Sequence, residues 1–240
     1  MRRGRTLATS SSLLPIFRGF IMRKILLAAS ALALASPVAS IAAPTISVVG
    51  GVGPLAIGTP GFNNFKTELN GAGFTTYTTS SNLFLSGMAK ITYYYMGSES
   101  GFKNIFTAGT STYTETSGGY ESKWLTPVLI GTQSYVTGGS LAGLLGFSTM
   151  GGSGLPSPVG SDGFGVFLKG TQTTGYSTIY FGYDDERSRA DDNHDDYIVK
   201  AVITAVPVPE PGTWAMLLSG FAIVGSLLRR RRSNGVTVLA

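Results

Sequence analysis

The sequence predicts an all-β fold for residues 43–206: a single β-sandwich domain of jelly-roll-like type. β-Branched and aromatic residues gather in short runs, Gly-Gly, Ser-Gly and Asp-Gly pairs separate those runs, and no helical period intervenes at their spacing of roughly 8–15 residues. The chain contains no cysteine. A core of about 165 residues can fold without disulfides. The missing thiols exclude cysteine catalysis and Cys-ligated metal sites.

The clearest strand is AKITYYYM at 89–96, which lies between Gly87 and Gly97 and alternates in period two. Two segments fit a helix, 61–70 and 141–145, although the first fits a loop equally well. Residues 148–163, rich in Gly, Ser and Pro, predict a long loop. The remaining predicted strands are 45–49, 74–78, 104–107, 127–130, 165–169, 178–183 and 197–206.

The C-terminal part of the chain has three features in a fixed order. Pro209-Glu210-Pro211 comes first, an apolar run at 214–228 follows, and four arginines end it at 229–232. The run of 15 residues would form a helix of roughly 22 Å, short for a bilayer core of about 30 Å. The arginines are expected to stay cytoplasmic. The Pro-Glu-Pro tripeptide is then expected to lie on the far side of the inner membrane as an extended segment.

This order resembles the PEP-CTERM sorting domain, in the variant where Trp-Ala follows the tripeptide. The resemblance covers 207–232, leaves a tail at 233–240, and implies processing by exosortase, an integral-membrane protease-like enzyme of bacteria with an outer membrane. An ordinary C-terminal membrane anchor is the alternative. The residues that carry the motif are Pro209, Glu210, Pro211, Trp214, Ala215, Arg229, Arg230, Arg231 and Arg232.

The N-terminal part of the chain predicts a signal peptide at 22–42. Met22-Arg23-Lys24 forms the basic region, 25–34 the apolar region, and Ser40-Ile41-Ala42 the cleavage site. Residues 1–21 fit a signal peptide poorly. We therefore expect a mis-called start, with translation from Met22. An extended basic region is the alternative.

The net charge of the whole chain is +5, and it is dominated by the two terminal segments. Between the termini lie eight Lys and Arg residues and twelve acidic residues, a net charge of about −4. A basic protein would suggest nucleic acid or anionic lipid as a partner. The acidic body favours neither, so we expect no nucleic-acid partner.

Seven of those acidic residues fall within 184–196, between two predicted strands. Because crowded carboxylates repel and are costly to bury, we expect an exposed loop. Oxygen ligands in an exported loop suit Ca²⁺, and a solvated acidic loop partly neutralised by Arg187 and Arg189 is the alternative. Asp196 replaces the glycine, and Val202 the final glutamate, that an EF-hand loop needs. The predicted calcium ligands are Asp184, Asp185, Asp191, Asn193 and Asp195.

Two stretches also resemble the bodies of proteins that carry this sorting tail: the hairpin around 181–199, and 95–106 with its Gly-x-Glu-x-Gly-x-x-Asn-x-Phe pattern. Within the second stretch, Glu99 and Asn104 could each cap a turn, which we favour, or contribute ligands to the acidic loop.

The sequence gives little basis for catalysis. His194, the single histidine, lies inside the acidic loop, and no pair among the glutamates is marked for glycosidase chemistry. Gly50-Gly51-Val52-Gly53 is followed by Pro54, which breaks the helix that a phosphate site needs. We therefore expect a non-enzymatic, structural or adhesive protein of the cell surface or exopolysaccharide matrix. The alternatives are a carbohydrate-active enzyme, with Trp124 and Tyr93 to Tyr95 as sugar contacts, and a polysaccharide- or ice-binding module using the threonines at 75–79 and 110–116.

Overall fold

The computed structural model describes residues 42–59, 61–116, 118–150, 156–185, 193–207 and 211–233. The chain divides into two compact units: Ala42–Val206, and the two terminal segments together. Of the predicted signal peptide, all but Ala42 lies outside the described residues, as do Pro209 and Glu210.

Among its described residues, the body contains fifteen strands and one short helix. This helix, α1, is Lys66–Gly71, and a helix in the C-terminal segment, α2, is Pro211–Ser233. The strands are β1 Ile46–Val49, β2 Val52–Ala56, β3 Thr76–Thr79, β4 Asn82–Leu85, β5 Ala89–Ser98, β6 Lys103–Ala108, β7 Ser111–Thr114, β8 Glu121–Ser122, β9 Val128–Tyr135, β10 Gly139–Ser140, β11 Leu145–Met150, β12 Ser157–Pro158, β13 Phe164–Leu168, β14 Thr178–Tyr183 and β15 Tyr197–Ala205.

These strands form three antiparallel sheets. The largest has eight strands in the order β2-β3-β13-β14-β15-β5-β8, with β9 also paired to β5. A four-stranded sheet follows the order β12-β11-β6-β7, and a three-stranded sheet follows β1-β4-β10. The all-β prediction is confirmed.

Aromatic side chains join the eight-stranded sheet to the four-stranded sheet, as the layers of a sandwich require. Phe147 of β11 lies with its ring centre 5.1 Å from that of Tyr183 in β14 and 5.1 Å from that of Phe164 in β13. Phe106 of β6 contacts Tyr93 of β5 at 5.5 Å. Such contacts add to the hydrophobic effect at the centre of the core.

The burial pattern of strand β5 shows how the sequence determines which face of the eight-stranded sheet is buried. Ala89, Ile91, Tyr93 and Tyr95 are fully buried, while the side chains between them are exposed or half-buried. A strand that packs on one face alternates in this way. The strand pairs with β15 on one side and with β8 and β9 on the other.

Strands β2, β4, β7 and β11 were missed in the sequence, as were the two-residue strands β8, β10 and β12. The first contains Gly53 and Pro54, and β4 and β7 have only four residues each. Strand β11 begins at Leu145, inside a predicted helix, and ends at Met150, inside the predicted long loop. These short strands are held by pairing across the sheets, so their own residues give a weak signal.

Both helix predictions in the body need correction. The segment 61–70 is helical only from Lys66, because the Asn63 side-chain oxygen accepts a bond from the Phe65 backbone N–H and forms a turn there. The segment 141–145 is a turn, with the Leu144 N–H bonded to the Leu141 carbonyl 3.1 Å away. The predicted loop 148–163 also contains β12.

Candidate functional site

The ends of three neighbouring strands bring the acidic residues together. Strand β15 pairs with β14 and β5, so that Tyr197 lies opposite Tyr183 and Ile198 opposite Gly97. The end of β14, the start of β15 and the end of β5 therefore lie side by side. The β14–β15 connection and the β5–β6 connection both leave from this place.

Three carboxylates meet there. One oxygen from each of Glu99, Asp195 and Asp196 lies within 4.8 Å of the others. Asp195 is fully buried, Asp196 nearly so, and Glu99 is half-buried. This spacing and donor type suit a hard cation such as Ca²⁺, which binds six to eight oxygens.

A pocket of about 310 Å³ opens beside these carboxylates. The β5–β6 connection forms one wall and the ends of β14 and β15 the other. Its lining residues are Glu99, Ser100, Gly101, Phe102, Asp184, Asp185 and Asp196.

Asn104 of β6 connects the pocket to the sandwich. Its amide nitrogen donates to Asp185 Oδ2 at 2.8 Å and to the Asp196 carbonyl at 3.2 Å. Its amide oxygen accepts from the Thr149 hydroxyl at 2.9 Å. The Ser100 hydroxyl also donates to Asp185. Asn104 is fully buried and bonded on both sides of its amide, which fixes the orientation of that side chain.

The segment before α1 supplies a second set of donors. The Asn64 backbone N–H donates to Asp195 Oδ2 at 2.5 Å, and the Asn64 side-chain amide donates to Glu99. The Asn63 amide donates to the Asn193 carbonyl at 2.9 Å, and the Asn193 amide donates to the Phe62 carbonyl at 2.7 Å. Three of these bonds span about 130 residues of sequence and tie the β14–β15 connection to the segment before α1, while the bond to Glu99 ties that segment to the β5–β6 connection.

The predicted exposure of the acidic segment was wrong for the residues that the structure describes. Asp184, Asp185, Asn193, Asp195 and Asp196 are all at least nine-tenths buried. Burying carboxylates is costly only when they lack donors. Asn64, Ser100 and Asn104 supply donors to Asp195 and Asp185 from distant parts of the chain, and the Asp185 N–H donates to Asp196. The fully solvated alternative is wrong for the same residues, while Arg187 and Arg189 lie outside the described ranges.

The carboxylates also change the proton affinity of one another. Burial, followed by repulsion from the Asp185 carboxylate, raises the pKa of Asp196 to about 9. The Asp185 backbone N–H, which donates to Asp196 Oδ2 at 2.8 Å, opposes this rise. At neutral pH a proton on Asp196 therefore removes one negative charge from the cluster.

Glu115 is a further buried carboxylate, outside the predicted site. It accepts bonds from the Ser98 hydroxyl and the Asn104 backbone N–H. Burial raises its pKa to about 7, although both hydrogen bonds oppose the rise. Since Asn104 bonds to both Glu115 and Asp185, this residue links two acidic groups.

His194 is a packing residue of the connection. Its φ of 58° is in the left-handed region, and its Nε2 lies 2.8 Å from the Asp162 carbonyl. Two glycines make room for it: a Cβ on Gly182 would lie 2.1 Å from the His194 carbonyl, and one on Gly165 would lie 2.6 Å from its ring. These glycines allow the connection to fold back onto β13 and β14.

The structure places the predicted calcium ligands unequally. Asp195 belongs to the carboxylate cluster, and Asp184 and Asp185 line its pocket. Asn193 uses its amide nitrogen on the Phe62 carbonyl and its amide oxygen on the Asp195 N–H. Asp191 lies outside the described residues. The calcium site stays a prediction, with its centre shifted toward Asp196 and Glu99.

Sequence reasoning missed Asp196 as a ligand candidate and favoured a capping role for Glu99. The signal for Glu99 was present, since its alternative role as an added ligand agrees with its position in the cluster. Asp196 was used only as the reason to exclude an EF-hand. No local pattern could reveal that β5 and β15 are neighbours.

The side chains considered for sugar or ice contacts divide between the core and the surface, with Thr110, Thr112 and Thr116 exposed. Tyr93 and Tyr95 are fully buried, and Trp124 stacks on Tyr180 with ring centres 5.1 Å apart. Thr78 and Thr79 are buried as well. Residues 75–79 therefore do not form a flat exposed threonine face.

Helix α2 extends the predicted apolar segment at both ends. It begins at Pro211, whose fixed φ and missing N–H suit a first helical turn, so this proline is helical rather than extended. The helix includes Arg229 and Arg230 and ends at Ser233. Within it, Gly212–Arg230 is 19 residues, roughly 28 Å long, which is long and apolar enough to cross a membrane.

A family model described as a PEP-CTERM protein-sorting motif matches residues 207–232. The chain carries a PEP-CTERM sorting signal. This PEP-CTERM signal marks an exported protein that exosortase processes at the membrane. No curated protein and no solved structure matches the chain.

Proposed function

We propose that the protein is a structural or adhesive component of the cell surface or of the exopolysaccharide matrix, without enzymatic activity. The observation that carries this proposal is the PEP-CTERM signal at 207–232, joined directly to one β-sandwich body. The signal peptide directs export, and α2 then holds the chain in the inner membrane. Exosortase processes the Pro-Glu-Pro region on the outer side, and the body leaves for the cell surface.

The hydrogen bonds of the buried carboxylates support a structural role. Glu115 joins the end of β5 to the start of β6 through Ser98 and Asn104. Asp185 joins β6 to the β14–β15 connection through the same asparagine. Polar groups that bond to neighbouring strands in this way specify the fold. A cation in the carboxylate cluster would act in the same direction.

The sorting part of the proposal is tested by replacing Pro209-Glu210-Pro211 with three alanines. We expect export and membrane insertion to continue, because the apolar helix and the arginines remain. Later processing should stop. Pro207→Ala is the matched control. The readouts are the intact mass of the mature protein and its distribution between inner membrane and cell surface.

The same mass measurement on the wild-type protein defines both processing sites, with Ala43 as the expected N-terminus. A triple-alanine variant with wild-type mass and location would contradict the sorting proposal. Recovery of residues upstream of Met22 on the exported protein would contradict the expected start.

The structural role is tested in cells that lack the protein. We expect less matrix-bound material and weaker attachment to surfaces, both restored by the wild-type chain. A chain that ends after residue 206 should be exported without restoring either. Full restoration by that shortened chain would show that the body needs no sorting.

One observation favours a second candidate, a carbohydrate-active enzyme. Carboxylates line a pocket, and the pKa of Asp196 is raised, as a general acid requires. The oxygens of Glu99, Asp195 and Asp196 lie within 4.8 Å, however, closer than the roughly 5–9.5 Å that separates the carboxyl groups of a glycosidase. This spacing favours a shared proton or cation. Release of reducing sugar from matrix polysaccharide by wild type, abolished in Asp196→Asn, would support the enzyme instead.

A further inference from the structure

Among the described residues, the sheet edges of this body are short or carry a proline, with one exception. Strands β1 and β7 have four residues each, and β8, β10 and β12 have two each. Strand β2, the opposite edge of the largest sheet, carries Pro54 and an irregular register. Shortness and proline both keep an edge from pairing with another chain. Strand β9 has eight residues and no proline, and although its pairing with β5 shifts register at Ile130, residues 131–135 form a regular run.

The outer edge of β9 is open within the described part of the chain. Its inner edge pairs with β5 along residues 128–135. Among the described residues no second strand pairs with it, and β7 approaches it through side chains. The Gln133 amide donates to Ser111 Oγ at 2.9 Å and to Thr110 Oγ1 at 3.3 Å. The outer backbone groups of an edge strand are a template for another strand.

Strand β9 itself is uncharged, and the exposed Lys90 of β5 lies opposite Ser134 at one end of it. The sequence from Trp124 to Ser161, 38 residues, contains no Asp, Glu, Lys, Arg or His. Charged side chains, above all lysine, are a common protection of an edge, and β9 has none. Its outward-facing residues include Leu129, which is 59% exposed, and Thr132 and Ser134.

These properties point to a second copy of the same chain as the occupant. The body carries a net charge of about −4, so two copies repel except where they meet on an uncharged surface. An antiparallel pair of identical strands is related by a two-fold axis, and the same edge serves both copies. A charged partner would find no complementary charge on β9.

We propose that two copies of this chain pair along β9, strand against antiparallel strand, and continue the eight-stranded sheet from one copy into the other. The inference deepens the proposed structural role, since a matrix component gains cohesion when its bodies join. It is independent of the carboxylate pocket and of the sorting tail.

The absence of native cysteine makes cross-linking a direct test on the full-length protein in detergent. Single variants Leu129→Cys, Thr132→Cys and Ser134→Cys are oxidised and run on a non-reducing gel. Opposed residues of antiparallel strands lie about 4.5–5.5 Å apart at Cα, within the range that a disulfide spans. We expect a disulfide-linked dimer, strongest at the residue nearest the two-fold axis and weaker on either side.

Phe84→Cys is the matched control. Phe84 is exposed, but β4 lies between β1 and β10 and has no open edge. Equal cross-linking at Phe84→Cys and at all β9 positions, or none at β9, would overturn the proposal. If the chains associated through α2 alone, the three β9 positions would not cross-link in preference to Phe84→Cys.

A charge variant gives an independent readout. Leu129→Lys with Thr132→Lys places like charges opposite one another in the paired strands, and both sites are exposed in the single chain. We expect the wild-type protein to have twice the mass of the chain by light scattering, corrected for detergent. The dissociation constant of the dimer should rise about tenfold or more in the double variant. Phe84→Lys should leave it unchanged.

A wild-type monomer would overturn the pairing and leave the sorting and attachment assays unaffected. An unchanged dimer in the double variant would overturn it as well. The pairing and the proposed function can therefore fail separately.

Discussion

Helix α2 and the carboxylate pocket invert the usual distribution of side chains in opposite ways. In α2, large apolar residues such as Leu217, Leu218 and Phe221 are 50–68% exposed. In the pocket, Asp184, Asp185 and Asp195 are at most 3% exposed. Apolar surface in water and carboxylates away from water are each unfavourable alone. Each region therefore depends on a compensating partner: a bilayer for the helix, and donors, protons or a cation for the pocket.

The largest expected effect is on the helix. Leu218→Arg with Val224→Arg places two charges within the apolar segment, at about 2.5–3.5 kcal/mol each for the centre of a membrane helix. We expect retention in the inner membrane to be lost, measured by fractionation after carbonate washing. Ser219→Ala, on the same helix, should behave as wild type. Undiminished retention of the double variant would mean that α2 is not the anchor.

In the pocket, the corresponding variant removes a donor. Asn104→Ala leaves Asp185 and the Asp196 carbonyl without its amide, and a bond to a charged group contributes about 1.5–3 kcal/mol. We expect the free energy of unfolding to fall by about 3 kcal/mol in urea titrations. Asn82→Ala, at an exposed position of β4, should change it by about 0.5 kcal/mol or less. A loss equal to that of the control would mean that Asn104 does not support the pocket.

The next prediction tests whether calcium compensates the burial of the pocket carboxylates. A ligand that binds only the folded state at a hundredfold excess over Kd stabilises it by about 2.7 kcal/mol, a rise in Tm of roughly 5–10 °C for a body of this size. Melting is compared in chelator, in millimolar Ca²⁺ and in NaCl at matched ionic strength.

Asp191→Ala, Asp195→Ala and Glu99→Gln should each reduce the calcium shift and change the melt in chelator much less. If the melt responded equally to Ca²⁺ and to NaCl, hydrogen-bond donors and a shared proton would be enough to stabilise the buried carboxylates without a cation.

The smallest expected effect is a pH dependence from Glu115. Its pKa is raised to about 7 in the folded protein, above an ordinary value of 4.5. The folded state then holds the proton more tightly, so its stabilising effect is complete below about pH 4.5 and is lost as pH rises to about 7. After a discount for solvent screening we expect on the order of 1–2 kcal/mol.

Glu115→Gln should remove this part of the pH profile of unfolding. Glu68→Gln, at a half-buried position of α1, is the control and should keep it. A profile that is the same for wild type and Glu115→Gln would contradict the assignment.

The two regions also differ in how far their sequence predicts them. The function of the tail follows from a linear order, Pro-Glu-Pro, apolar run and arginines, and β5 follows from local alternation. The pocket depends on Asn63 and Asn64, which bond to residues about 130 positions away. A dense acidic segment looks solvated until those donors are known. Likewise, β11 was hidden because Leu145 to Met150 becomes a strand only through its pairing with β6.

The position of β15 has a mechanical consequence. This strand is the last of the body and leads directly into the segment that carries the sorting signal. It pairs with β14 over residues 197–202 on one side and with β5 over residues 198–205 on the other. A pull transmitted through the tail therefore acts on a strand in the middle of the largest sheet, and two ladders must shear before it moves. Central strands open only when the whole domain unfolds, so the body can bear load at its point of attachment.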